Sequence, residues 1–261
     1  MDEKFRTTRL TGFTPEEREM NKKLNDLFCE WYSFLDTGEN RSLFDVKLFV
    51  SDGFYPYYTT RQKKILFIGQ EALCIGGDNY IDILYGAYKE NCIGGTYINQ
   101  HPFHRRMLKI AYGLVHGALE WDKIPPASDL TASFGGVDGL SFAFMNFSKL
   151  SNDSGEIKAD VKTIDAFGRS TAKSPVNFFE KEIEILAPDL VIAMNLGSEK
   201  IHCLGDVKAT SENRGVAVNR YSLSVNDKKI PLLETYHFSG HNLSDAKDIY
   251  EPLVRALENP R

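Results

Sequence analysis

The 261-residue chain has no apolar run approaching the roughly 18 residues of a membrane-spanning helix, which leaves a membrane role without support. Its four cysteines, Cys29, Cys74, Cys92 and Cys203, form no CxxC pair, and the charged opening MDEKFRTTRL has no apolar signal-peptide core. Together these predict a reducing, cytoplasmic setting. Basic residues do not dominate: the net charge is −5, so any site for a polyanion must be a local patch. There is no GxxxxGK[ST] phosphate loop, no GxSxG nucleophile elbow, and after the first core strand no GxGxxG, of which Gly76-Gly77 is only a faint imitation. Ordinary nucleotide binders and serine hydrolases lose ground accordingly. His237 and His241 are spaced like a metal pair but lack an obvious third ligand, so neither a metal nor another cofactor is expected. Internal repeats and low-complexity tracts are absent.

What is present is an ordinary globular composition, 42% hydrophobic, with enough chain for one large α/β domain; monomer is the default. Thr14-Pro15 opens an amphipathic helix over 15–36, with Met20, Leu24, Leu27, Phe28, Trp31 and Leu35 at helical spacing, inside an amino-terminal helical extension of about 1–60. The stretch 49–60 reads as an aromatic-rich loop. Ile65 to Ile68 form an unbroken apolar run, the signature of a strand buried on both faces. Pro102 starts a helix within 100–120 whose first turn carries His104, Arg105 and Arg106. A second buried strand lies within 140–150, a mobile excursion over 151–175, a helix near 176–186, a third strand in 188–197 and a helix from about 198. Two strand-like runs then flank a turn at Asn226-Asp227, and a helix over about 244–257 follows. Core strands separated by helices predict a three-layer αβα fold around a mainly parallel sheet of four or slightly more strands.

Three of the core strands exit into polar clusters: GQEAL after residue 68, NFSKL after Met145 and YHFSGHN after Thr235. Convergent polar residues at the carboxyl edge of a parallel sheet are how α/β active sites are built. Each residue alone has a bland reading. Glu71 serves equally as a helix cap or loop acid, Asn146 as a turn former, and His237 as a satisfied core histidine.

In that order, the clusters resemble the uracil-DNA glycosylase superfamily. IGQEAL (68–73) is similar to its first motif, which reads glycine, glutamine, aspartate, proline, tyrosine in one branch and glycine, methionine, asparagine, proline in the single-strand-selective branch. HFSGHN (237–242) is similar to the second motif. FMNFSKL (144–150) resembles the strand whose asparagine reads the base, and GGTYINQHPFHRRMLKIAYGL (94–114) the segment carrying a base-stacking aromatic followed by a helix. The likeness extends over 60–255. This chain departs from it at Glu71 in place of aspartate, Ala72-Leu73 in place of proline-tyrosine, Phe238 in place of proline and His241 in place of the wedge residue, which leaves the substrate open.

The resemblance implies a uracil-DNA glycosylase-like domain over 1–261 that hydrolyses the N-glycosidic bond of uracil or a related damaged base in single- or double-stranded DNA, as in base-excision repair. Such a reaction passes through an oxocarbenium-like sugar and releases a base anion. His237 would donate to the base carbonyl where charge develops, and Glu71 would orient water and offset the positive sugar. Asn146 would pair with the donor-acceptor edge of a flipped base, Tyr97 would stack on it, and Gln70 would add backbone or side-chain hydrogen bonds. Ser239 and Asn242 would hold the second loop or a phosphate, with Arg105 and Arg106 on the DNA side. His241 is either a wedge or a surface imidazole. The altered motifs and the acidic charge speak for an alternative, a catalytically silent relative that binds nucleic acid or a nucleotide, and an unrelated α/β fold with a structural Glu and His is the third reading.

Overall fold

The computed structural model describes residues 8–156, 158–210 and 217–258. Its strands are β1 (Gly53–Phe54), β2 (Ile65–Gly69), β3 (Cys92–Ile93), β4 (Thr96–Tyr97), β5 (Ala143–Asn146), β6 (Leu190–Met194), β7 (Asp206–Ala209), β8 (Val218–Val225) and β9 (Lys228–Thr235). The α-helices are α1 (Pro15–Leu35), α2 (Asn40–Leu43), α3 (Tyr80–Lys89), α4 (Pro102–Val115), α5 (Ala127–Ala132), α6 (Val161–Thr171), α7 (Phe178–Leu186), α8 (Ser198–Cys203) and α9 (Glu251–Glu258). Among the described residues the main sheet has seven strands in the order β1-β5-β2-β6-β9-β8-β7, and β3 and β4 form a separate ribbon. The four central strands β5, β2, β6 and β9 are parallel, while β1, β8 and β7 join antiparallel at the margins.

The period-2 geometry of a strand assigns alternate residues to opposite faces. Leu66 and Ile68 of β2 therefore join Met145, Val191 and Leu232 in an apolar layer with α1, α6 and α7. Ile65 and Phe67 join Phe144, Ile192 and Leu233 in a second layer with α3, α4 and Leu253 of α9. Helices thus cover both faces, an arrangement compatible with the expected three layers. Nothing polar interrupts β2 or β6 because neither face of either strand meets water.

Several sequence expectations need revision. Helix α1 is not an appendage: Leu24, Leu27, Phe28 and Trp31 belong to the same core as β2 and β5. Its cap explains why. Thr14 and Glu17 form a reciprocal capping box, and the fully enclosed Glu17 carboxylate also accepts the backbone N–H groups of Tyr57 (3.1 Å) and Thr59 (2.9 Å), tying the 57–59 loop to the helix. The aromatic 49–60 stretch contains the edge strand β1, which pairs Gly53 with Phe144. The 151–175 excursion holds α6, capped by Asp160. The helix begun by Pro102 ends at Val115 rather than 120, and the carboxyl-terminal helix is a π-helical turn, Asp245–Tyr250, continued by α9. The turn at Asn226-Asp227 is as expected: both residues have positive φ, 48° and 62°, the two-residue connection whose twist suits a hairpin. No helix among the described residues is long and apolar enough to cross a membrane.

Candidate functional site

Parallel strands deliver their carboxyl ends to one edge, and adjacent registers bring those ends side by side. Gly69 lies opposite Asn146, and Met194 opposite Thr235. After β5 the chain crosses β2 to enter β6 on its other side, so this edge contains the switch of direction where open α/β sheets bind ligands. A cavity of about 690 Å³ opens there, and Gln70, Glu71, Asn146, His237 and Ser239 all line it.

Asn146 sits at the cavity floor, 1% exposed. Its backbone N–H donates to Asp52 Oδ2 at 2.7 Å, yet among the described residues neither its side-chain Oδ1 nor its Nδ2 has a hydrogen-bond partner. Gly69 leaves the carboxamide its space: a Cβ there would lie 2.9 Å from Phe144 Cζ and 3.0 Å from Asn146 Oδ1. Buried polar groups are almost always paired, so a doubly unpaired carboxamide on a cavity wall is an anomaly that a ligand edge would resolve.

Glu71 is half-buried and held through one oxygen. Oε1 accepts the backbone N–H of Asp160 at 2.8 Å and Asn152 Nδ2 at 3.2 Å, so the carboxylate rests at the amino end of α6. Burial is the largest influence and raises its pKa above the ordinary carboxylate value, outweighing those two donors. No hydrogen bond among the described residues reaches Oε2, which leaves it free for a further donor.

His237 follows β9. Ser239 N–H points at its Nδ1 at 3.3 Å, and Ser239 Oγ lies 2.6 Å from the same nitrogen. A backbone N–H only donates, so Nδ1 is the acceptor and the ring proton resides on Nε2. Burial lowers the imidazole pKa, which keeps the ring neutral. Phe103 lies against it, ring centroids 5.5 Å apart.

Other expectations are corrected. Tyr97 lies on β4, 47% exposed, and does not line the cavity. The aromatic walls are Tyr80, Phe103 and Phe144, with Tyr80 stacked on Phe144 at 4.4 Å. Arg106 is 3% exposed and cannot face DNA. It pairs with Asp245 Oδ1 at 2.6 Å and donates to the carbonyls of Phe238, Gly240 and Leu243. Arg105 pairs with Asp245 Oδ2 at 2.9 Å and donates to the Asn99 carbonyl. Arg106 is thus an internal brace for the loop that follows His237, while Arg105, its side chain 26% exposed, shares the same Asp245 anchor. Gln70 turns its Nε2 to the Asn195 carbonyl, bridging β2 and β6. His241 and Asn242 are exposed on the loop, Asn242 at φ 63°.

Two further histidines line the cavity: His101, which the sequence did not single out, and His104, expected only as part of the helix's first turn. His104 is buried, its Nδ1 lies 2.8 Å from the Tyr88 hydroxyl, and burial drives its pKa well down. The signal was the HPFHRR string at the start of α4, whose first turn overhangs the sheet edge. No cluster of three or more potential metal-ligating side chains occurs among the described residues. Compared with known proteins, the chain matches no family model and no curated sequence.

Proposed function

We propose that this chain is a monofunctional DNA base-excision glycosylase, hydrolysing the N-glycosidic bond of uracil or a related damaged base. The observation that carries the reading is the unpartnered Asn146 carboxamide at the floor of an aromatic-walled cavity. One donor and one acceptor in a plane complement the edge of a flipped nucleobase, and Phe103 takes the stacking role first assigned to Tyr97. His237 Nε2–H supplies a neutral donor for the carbonyl on which the departing base gathers charge. Glu71 Oε2 accepts from the attacking water and its charge offsets the positive sugar.

A second reading keeps the cavity and discards the chemistry: a silent protein that binds a nucleobase or nucleotide. It is favoured by the engagement of the two cations expected on the DNA side, since Arg105 and Arg106 pair with Asp245, and by the enclosure of nearby Lys149 with Asp52 and Glu182. Incubation with labelled oligonucleotides carrying uracil, hypoxanthine, xanthine or mismatched thymine, followed by alkaline cleavage of abasic sites, separates the two. Release of no base from any of the four substrates overturns the glycosylase reading.

Replacing His237 with alanine is expected to slow base release by about 10² to 10³, the loss associated with one charge-stabilising donor, while DNA affinity in a binding assay changes little. The pH profile carries a separate expectation. Because the Glu71 pKa is raised, the rate falls on acidification at a pH above that of an ordinary carboxylate, and because the His237 pKa is lowered, its protonation adds no limb near neutrality. Glu71→Gln removes the acid limb and lowers the plateau by about 10² to 10⁴. An unchanged limb in that variant rules out Glu71 as its source.

A further inference from the structure

Behind the cavity lies a buried charge cluster that the proposed chemistry does not use. Lys149, Asp52 and Glu182 have fully enclosed side chains. Lys149 Nζ lies 2.7 and 2.9 Å from the two Asp52 oxygens and 2.9 and 2.8 Å from those of Glu182. Taking three charges from water is costly, and a buried ion pair is weak evidence for stability in itself, so the arrangement calls for a local reason.

The sheet supplies one. Strand β1 pairs Gly53 with Phe144 and Phe54 with Ala143, and antiparallel pairing of the same segment resumes at Phe49 with Leu150, so Asn146 falls in a gap of the ladder. In that gap the Asp52 carboxylate stands in for a backbone acceptor: Oδ2 accepts the Asn146 N–H at 2.7 Å while also touching Lys149. Lys149 follows Asn146 by three residues, and Glu182 reaches it from α7 across the layer.

We propose that Asp52, fixed by Lys149 and Glu182, is a positioning residue that sets the backbone at Asn146 and thereby the angle at which its free carboxamide meets the ligand. The inference rests on the base-reading role given to Asn146 above. Its chemistry is specific to a carboxylate. Both groups on Asp52, the Asn146 N–H and the Lys149 ammonium, are donors, and a carboxamide at residue 52 would oppose one of them with a third donor.

Three measurements decide it. In the unmodified, isotope-labelled protein, a scalar coupling across the hydrogen bond between the Asn146 amide nitrogen and Asp52 Cγ is expected, and its absence overturns the proposal without any variant. Asp52→Asn is expected to lower kcat/KM on uracil-containing DNA about tenfold or more, the scale of a lost bond to a charged acceptor. Glu182→Gln, which keeps shape and one acceptor, is expected to act in the same direction by less. In both variants the Asn146 side-chain amide resonances shift. A merely structural role would lower the melting temperature while leaving those resonances and the activity per folded molecule unchanged, and that result overturns the proposal. Should the unmodified protein cleave no substrate, the glycosylase reading fails, and the coupling and the resonances still decide whether Asp52 positions Asn146.

Discussion

Replacing Asn146 with alanine is expected to abolish base selection without weakening the fold. At 1% exposure an asparagine normally earns its place through hydrogen bonds, but this side chain makes none among the described residues, and its removal breaks no hydrogen bond that they form. The melting temperature should hold or rise. Activity should go the other way. A bound base would keep a donor and an acceptor facing an apolar wall, and losing two bonds of about 1.5 kcal/mol each corresponds to a drop in kcat/KM of about 10². The loss should be greatest for bases whose edge matches the carboxamide, which comparison across the four oligonucleotides tests directly. A variant that is both inactive and markedly destabilised would show instead that Asn146 is a structural residue.

Lys149→Met should produce the opposite pattern, with stability as the main casualty. The substitution leaves Asp52 and Glu182 enclosed together without their cation, and breaking a buried pair in this way costs about 3–5 kcal/mol. For a chain of this size that is a melting temperature lower by about 10 °C. The sign of the pH dependence follows from Glu182. Burial and then the neighbouring Asp52 charge already raise its pKa, with Lys149 opposing them, so losing the lysine raises it further. A folded-state pKa above the unfolded value means that the native state binds the extra proton. The variant should therefore regain stability as the pH falls through the raised folded-state pKa toward the unfolded one, recovering part of its deficit on acidification, as thermal melts across pH 5 to 8 would register. A deficit constant across that range would show that the carboxylates are not the source.

The parts of this molecule that could be read from sequence are those where one local rule suffices. Ile65 to Ile68 and Leu190 to Met194 are continuous apolar runs because both faces are covered, and Thr14-Pro15 followed by apolar residues at helical spacing announces α1. The convergence of Glu71, Asn146 and His237 was also legible, since parallel strands with polar exits share an edge. What failed required knowledge of tertiary partners. Arg106 looks like any basic residue on a helix, and only the carbonyls of Phe238, Gly240 and Leu243 reveal it as a brace. Lys149 ends a strand in NFSKL as a solvated exit residue would, yet α7 closes over it with Glu182. Tyr97 was the expected stacking residue because an aromatic before the helix fitted the resemblance, whereas it lies outside the cavity, which Phe103 on the first turn of α4 lines. Helix α3 escaped notice because its YIDILYGAYK mixes aromatic and β-branched residues of low helical preference, and burial of Tyr80, Ile81, Leu84 and Tyr88 overrides that preference.

Helix α1 bears on the cavity although none of its residues lines it. Phe28 and Trp31 lie over the Lys149 ammonium, 5.3 and 5.4 Å from its Nζ to the ring centroids, and close the cluster on the side away from the sheet. They act as electrical insulation. With the rings in place the Lys149–Asp52 attraction operates across a medium of low polarisability, whereas a gap at Trp31 wide enough for water would screen that attraction severalfold. Sequence drift on this amino-terminal helix is consequently not free: its aromatic residues are constrained by the electrostatics of a strand end two side chains away.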